Sequence, residues 1–203
     1  MRGWGGDTRS LLKPSGHRIG AMRFIRLALA AGLTLMLMAA PAQAAALADA
    51  QAGEEAHERG ELKKAVELYS KAIAVGELSP QDLAGVYNNR GQAWRLLGDL
   101  NRALADHDKA ISLDPRLPLA YNSRGIVWEK KGDLNRALAD FTRAIELKPD
   151  YPSAYYNRSG LYERMGRLDE SLADVKKFIQ LEPKHPWGEK RLKELTAKIK
   201  GDK

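Results

Sequence analysis

The feature that most constrains the fold of this chain is an internal repeat with a period of 34 residues. The nine residues from Gly98 to Asp106 recur without change from Gly132 to Asp140. Prolines follow the same spacing, as Pro115, Pro149 and Pro183. A period of this length is typical of small structural units that cannot bury their apolar faces alone and therefore stack on one another. The sequence predicts an elongated array of units and not a single globular core.

Each unit has the pattern of two helices joined by a tight turn. Tyr87, Trp94 and Leu97 lie at helical spacing, and Gly98 follows them where a helix would end. Glycine is favoured just past a helix end because it adopts the left-handed conformation at little cost. Gly91 is small where the two helices of a unit are expected to cross. We therefore predict helix-turn-helix units of two helices each.

These residue types at this spacing resemble the tetratricopeptide-repeat (TPR) family. The family pattern has an aromatic at its fourth position, small residues at the eighth, twentieth and twenty-seventh, and proline near its end. The third unit matches it with Tyr121, Gly125, Ala137, Ala144 and Pro149. The resemblance implies an all-α fold, a right-handed TPR superhelix (α-solenoid) of about four helix-turn-helix repeats plus a C-terminal capping helix.

The first unit is atypical, because it lacks the closing proline and four extra residues separate it from the second. Ser79 and Pro80 in this insertion predict a new helix start, with Ser79 as the N-cap. The units and flanking segments predicted from the pattern are TPR 1 at 46–83, TPR 2 at 84–117, TPR 3 at 118–151, TPR 4 at 152–185, and a capping helix with a basic tail at 186–203.

Residues 22–44 have the pattern of a cleavable signal peptide. A positive start with Arg23 and Arg26 precedes an apolar run over 27–40, which is short for a membrane span. The small-x-small ending predicts cleavage between Ala44 and Ala45, with cleavage after Ala46 as the alternative and an uncleaved signal anchor left open. The leader predicts a periplasmic or secreted protein.

Residues 1–21 are rich in glycine and arginine and show no periodicity. Met22 begins a complete leader on its own, so we interpret residues 1–21 as an upstream, disordered extension of the reading frame.

The formal charge of +7 comes from the two ends of the chain. Residues 1–44 carry a net charge of +5 and residues 184–203 a net charge of +4, whereas the repeats between them carry −2. This distribution gives no basic surface typical of nucleic-acid binding. The absence of cysteine excludes disulfides and thiolate metal sites.

No catalytic motif accompanies the repeats. The chain has no H-E-x-x-H pair, no phosphate-binding loop and no G-x-S-x-G elbow. His107 occupies a position that is normally aromatic, so we expect it in the core. Asp106, Asp140 and Asp174 recur once per unit, which indicates a structural role. We predict a protein without catalysis, cofactor or metal, whose tryptophans and tyrosines pack between helices and do not stack on bases.

The resemblance also implies a concave groove lined by the first helix of each unit. Its candidate binding residues are Asn88, Gln92, Arg95, Asn122, Ile126, Glu129, Tyr156 and Glu163. Such a mixed lining suits an extended peptide or a helix of a partner protein. The lysine and asparagine with which some TPR proteins clamp a chaperone tail are not matched, because Asn88 is followed by Gln92, and Asn122 by Ile126.

The expected function is that of a protein-binding scaffold or adaptor in the cell envelope, with an unidentified protein or peptide as partner. Two alternatives stay open. One is a membrane-associated assembly factor that uses the basic C-terminal tail on anionic lipid. The other is a cytosolic TPR accessory subunit of a larger complex.

Overall fold

The computed structural model describes residues 41–201, in which regular structure consists of helices and no strand occurs. The upstream extension at 1–21, the leader residues 22–40 and the last two residues of the basic tail lie outside the described residues. The helices are α1 over residues 41–58, α2 Leu62–Val75, α3 Pro80–Leu96, α4 Leu100–Leu113, α5 Pro118–Lys130, α6 Leu134–Leu147, α7 Pro152–Arg164, α8 Leu168–Leu181 and α9 Pro186–Gly201.

The helices pair as the repeat predicts. The two helices of a unit pack together, α3 with α4, α5 with α6 and α7 with α8, and the second helix of each unit also packs on the first helix of the next. We call the first helix of each unit its A helix and the second its B helix. The prediction of an all-α TPR superhelix with a C-terminal helix is confirmed. Helix α1 begins earlier than the predicted first unit, because residues 41–45 are already helical.

The turns within the units form as expected. Gly98 has a φ of +88°, in the left-handed region, and the Asp99 N–H donates to the Trp94 carbonyl at 2.9 Å. Asp99 then starts the next helix, because its carboxylate accepts from the Arg102 N–H at 2.9 Å. Gly98 therefore ends α3, and Asp99 begins α4 as its N-cap. Between the first and second units, the Ser79 hydroxyl accepts from the Asp82 N–H at 3.1 Å, as the predicted N-cap.

The two helices of a unit approach so closely that the A helix needs a glycine at the crossing. A Cβ placed on Gly125 would lie 2.7 Å from the Phe141 ring, and one on Gly91 would lie 2.8 Å from the His107 ring. In the fourth unit the same crossing pairs Ser159 with Val175. The smaller valine leaves room for the serine, which is buried there. The sizes of the two residues at the crossing are therefore matched within each unit.

An arginine in each of helices α3, α5 and α7 joins its own unit to the preceding one. Arg124 donates two hydrogen bonds to Asp140 of its own unit, at 2.9 and 2.7 Å. Its remaining Nη1 donates at 2.7 Å to Asp108, on the B helix before it. The equivalent sets are Ser70 with Arg90 and Asp106, and Thr142 with Arg158 and Asp174.

Helix α9 occupies the place of a fifth A helix. Pro186 starts it 34 residues after Pro152, and Leu195 is buried against the last repeat. Helix α9 packs on α8, and its cationic side chains reach the A helix of the last repeat. Arg191 and Lys198 both pair with Glu163 of α7, Lys198 at 3.7 Å with its own side chain still 52% exposed.

The matched sizes at the helix crossing can be tested by placing the serine and valine of the fourth unit at positions 125 and 141 of the third. We expect Gly125→Ser alone to cost about 1–3 kcal/mol, because the new atoms overlap the Phe141 ring. Phe141→Val alone leaves a cavity and should cost about 2–3 kcal/mol. In urea unfolding, the double variant should lose less free energy of unfolding than the two single variants lose together, by at least about 1 kcal/mol. Additive losses would contradict the close contact.

Candidate functional site

The candidate site is the face formed by the A helices α1, α3, α5 and α7, which we call the A-helix face. Helix α3 contacts α5, and α5 contacts α7, so these helices lie side by side. The predicted groove residues come from this face, but the structure gives them different surroundings. Among the eight, Tyr156 alone is exposed, with 43% of its surface accessible.

The two asparagines predicted for the groove are buried and not open to a ligand. Asn88 is fully buried, and its Nδ2 donates to Asn89 at 3.4 Å. Asn122 is 4% exposed and accepts from the Asn157 Nδ2 at 2.9 Å. Asn122 therefore joins α5 to α7, whereas the hydrogen bond of Asn88 stays within α3. Asn157 is not among the residues predicted from the sequence, because those were taken from fixed positions of the repeat that do not include it.

The charged residues of the groove are already paired in the second half of the face. Glu129 binds Arg164 of the next A helix at 2.7 Å, and Glu163 binds the two cations of α9. Gln92, Arg95 and Ile126 are each partly buried. A ligand on this part of the face therefore meets neutralised charge beside one exposed aromatic ring.

That ring borders a cavity of about 520 Å³ between α7, α8 and α9, which we call the C-terminal cavity. Tyr156 and Trp187 lie 4.4 Å apart by ring centroids, and Trp187 contacts Phe178 edge-on at 4.9 Å. Pro152 and Glu182 complete its wall together with polar neighbours. Neither Phe178 nor Trp187 is among the groove residues predicted from the sequence. Their departure from the repeat pattern was the available signal for a special surface.

A second cavity, of about 540 Å³, lies between α1 and α3 at the other end of the face, and we call it the N-terminal cavity. Leu47 and Glu54 of α1 border it on one side, and Asp82 and Asn89 border it on the other. Tyr69 of α2 lies at its floor. Sequence reasoning did not predict this cavity, because the first unit fits the repeat pattern only loosely.

A third cavity, of about 840 Å³, lies at the turns and not on the A-helix face. The Arg102 guanidinium covers the Trp94 ring at 3.5 Å, and Arg136 covers Trp128 at 3.7 Å. Lys131 crosses between units to donate to Asn101 at 2.7 Å. One face of each indole is therefore covered by a guanidinium of its own unit, as a cation–π contact.

Comparisons with known proteins identify the repeats. A tetratricopeptide repeat model matches residues 84–117, a second one matches residues 152–185, and a TPR repeat model matches residues 129–166. The chain contains tetratricopeptide repeats. Mouse tetratricopeptide repeat protein 36 is 46% identical over 61 residues, which cover 30% of this chain and 31% of that protein. The chain therefore spans about a third of the length of this curated relative.

Solved structures share the TPR fold. YrrB, described as a TPR protein with an unusual peptide-binding site, is similar with a TM-score of 0.60 and 23% identity, over 73% of this chain and 75% of that one. The first TPR of Spaghetti (RPAP3), bound to an HSP90 peptide, has a TM-score of 0.56 and 21% identity, over 59% of this chain and 94% of that one. At these identities the likeness is one of fold.

His107 is a core residue of the second TPR, as its position predicted. It is fully buried, and neither ring nitrogen has a hydrogen-bond partner among residues 41–201. Burial, together with a smaller effect of the positive charges of Arg95 and Arg124, lowers the pKa of His107 to about 3. The imidazole is therefore neutral at physiological pH. Within the described residues, no group of three potential ligands could hold a metal ion.

We expect His107→Phe to stabilise the protein, because the third TPR has Phe141 at this position against the same glycine. Removing two unpartnered buried nitrogens should raise the free energy of unfolding by about 1–3 kcal/mol at neutral pH. Because the folded pKa lies below the ordinary 6.5, the unfolded chain binds an extra proton as the pH falls below 6.5.

The wild type should therefore lose stability on acidification that the His107→Phe variant keeps. The gap between the two should widen by about 2 kcal/mol between about pH 7 and about pH 5 in urea unfolding. His57 and His185 are present in both chains and cancel in the difference. A constant gap would contradict the buried, neutral state of His107.

Proposed function

We propose that this chain is a non-catalytic scaffold that binds a peptide or a helix of a partner protein on its A-helix face. The observation that carries the proposal is the exposed Tyr156 beside the C-terminal cavity, on a face whose other predicted residues are buried or partly buried. Aromatic side chains at the edge of a pocket supply much of the energy in protein recognition, because they bury a large rigid area at low entropic cost.

Two structural relatives support this kind of function. One is bound to an HSP90 peptide, and the other is described as having a peptide-binding site. The HSP90-type ligand itself is not carried over to this chain, because Asn88 and Asn122 stand where the chaperone-tail clamp has lysine. The proposal is therefore a peptide site of different chemistry on the same fold.

The A-helix face can be tested with a peptide selected from a random-sequence display library on the purified protein. We expect Tyr156→Ala to weaken binding of that peptide by about tenfold or more, measured by fluorescence anisotropy, because an anchoring ring is lost. Ser153→Arg should weaken it too, since it fills the mouth of the cavity from an exposed position without removing a packing contact.

Val75→Ala is the matched control, because Val75 is an exposed apolar residue at the end of the B helix α2. It should bind like the wild type. Unchanged binding by both Tyr156→Ala and Ser153→Arg, with unchanged thermal unfolding, would exclude the C-terminal end of the A-helix face as the contact.

We also propose that the chain is exported and cleaved between Ala44 and Ala45. The leader pattern over residues 22–44 supports this. The packing is compatible with it, because Ala44 and Ala45 are exposed whereas Ala46 is fully buried in the core. Cleavage after Ala46 would remove that core contact. The mass of the mature protein in a periplasmic fraction tests the proposal, and a chain that retains residues 22–44 would contradict it.

The alternative of a membrane-associated factor has less support from the basic tail than the sequence suggests. Arg191 and Lys198 are paired with Glu163, so they are less available to anionic lipid. Over residues 41–201, none of the helices is long and apolar enough to cross a bilayer.

A further inference from the structure

The N-terminal cavity contains a buried polar group that nothing in the described chain satisfies. Tyr69 is 1% exposed, and its hydroxyl has no hydrogen bond of acceptable geometry, although the Asn89 side chain lies beside it. The adjacent residue Asn88, which does not border the cavity, has a buried Oδ1 that is also unpartnered. Buried polar atoms without partners are uncommon in native proteins because each one is costly. A ligand that enters this cavity can supply the missing partner.

The charge around this cavity is negative and not neutralised. Glu54 and Asp82 border it, and no lysine or arginine does. Glu54 and Glu58 are close enough to Tyr69 for their charges to raise the pKa of its hydroxyl, which burial raises most, to about 12. None of these three carboxylates forms a salt bridge within residues 41–201. Glu129 and Glu163, on the A helices of the third and fourth TPRs, are in contrast paired.

The rim of the cavity adds an apolar contact. Leu47, in the first turns of α1, is 43% exposed beside the acidic residues. A side chain with an apolar stem and a cationic head fits this combination, because the stem covers leucine while the head reaches the carboxylates. A carboxylate at the same place would be repelled by Glu54, Glu58 and Asp82.

We propose that the N-terminal cavity binds an extended segment of a partner protein through a lysine or arginine side chain, with the main chain of that segment hydrogen-bonding Tyr69 and Asn89. This inference rests on the proposed peptide-binding function and specifies the chemistry of the peptide. The groove thus selects basic segments at its first unit and apolar or aromatic residues at its last.

The test uses fluorescein-labelled octapeptides in which lysine alternates with leucine, and matched versions with norleucine or glutamate in place of lysine. Binding to the purified protein is followed by anisotropy at low and at physiological salt. We expect the lysine peptide to bind at least about tenfold more tightly than the glutamate peptide, and to weaken as salt screens the carboxylates.

Variants of the protein distinguish an effect of charge on binding from an effect on folding. Glu54→Gln combined with Glu58→Gln keeps the shape and should weaken the lysine peptide about three- to tenfold while leaving the norleucine peptide unchanged. Glu55→Gln is the matched control, because Glu55 lies on the same helix but binds Arg59. Tyr69→Phe should weaken all bound peptides about two- to tenfold through the lost hydrogen bond, and thermal unfolding verifies that it folds.

Several results would overturn the inference. They are equal binding of the lysine and glutamate peptides, no loss in the double glutamine variant, or no detectable binding of the lysine peptide. Concentration-dependent dimerisation that the same double variant abolishes would also overturn it, since the occupant would then be a second copy. If the peptide selected for the A-helix face still depends on Tyr156 in any of these cases, the proposed function stands and only this inference fails.

Discussion

A partly buried arginine in the A helix of the second, third and fourth TPRs binds two helices at once, and the stacking of units depends on it. Each guanidinium makes two parallel hydrogen bonds to an aspartate sixteen residues later, and a third bond to the B helix of the preceding unit. The arginine and aspartate side chains of these pairs are between 6% and 22% exposed. Bidentate geometry fixes orientation as well as distance, so the repeated contact sets how each A helix leans on the B helix before it.

Once the arginines fix the stacking, the remaining polar residues of the A helices have defined roles. Asn122 and Asn157 join α5 to α7. Glu129 also joins α5 to α7, and Glu163 joins α7 to α9. The polar side chains between α5 and α9 are therefore mostly paired with one another. An exposed tyrosine near α9 and unneutralised carboxylates near α1 lie at the two ends of the A-helix face, and Arg95 of α3 keeps a buried Nε without a partner among residues 41–201. A ligand that extends along the face would meet both the tyrosine and the carboxylates.

The 34-residue period is sufficient to predict the helices, the glycine turns and the buried ring at position 107, because each depends on residues within one unit. It is not sufficient for the site. Asn122 holds a groove position in the resemblance, yet it is buried beside Asn157, one unit away. Glu163 is paired because α9 follows the last repeat as a further A helix would. The sequence of α9 does not show this, since it departs from the repeat pattern. The unpartnered hydroxyl of Tyr69 has no sequence signal at all, since an aromatic there fits the core pattern.

The stability of three aspartate variants tests the bridging role of the arginines most directly. Asp174→Ala leaves Arg158 with only the Thr142 hydroxyl, and Asp106→Ala leaves Arg90 with only Ser70. Each should cost about 3 kcal/mol, because a largely buried charge loses its partner. Asp140→Ala should cost about 1 kcal/mol less, because Arg124 keeps the Asp108 carboxylate across the unit boundary. Urea unfolding at neutral pH measures all three, and a loss in Asp140→Ala equal to or greater than the other two would contradict the account.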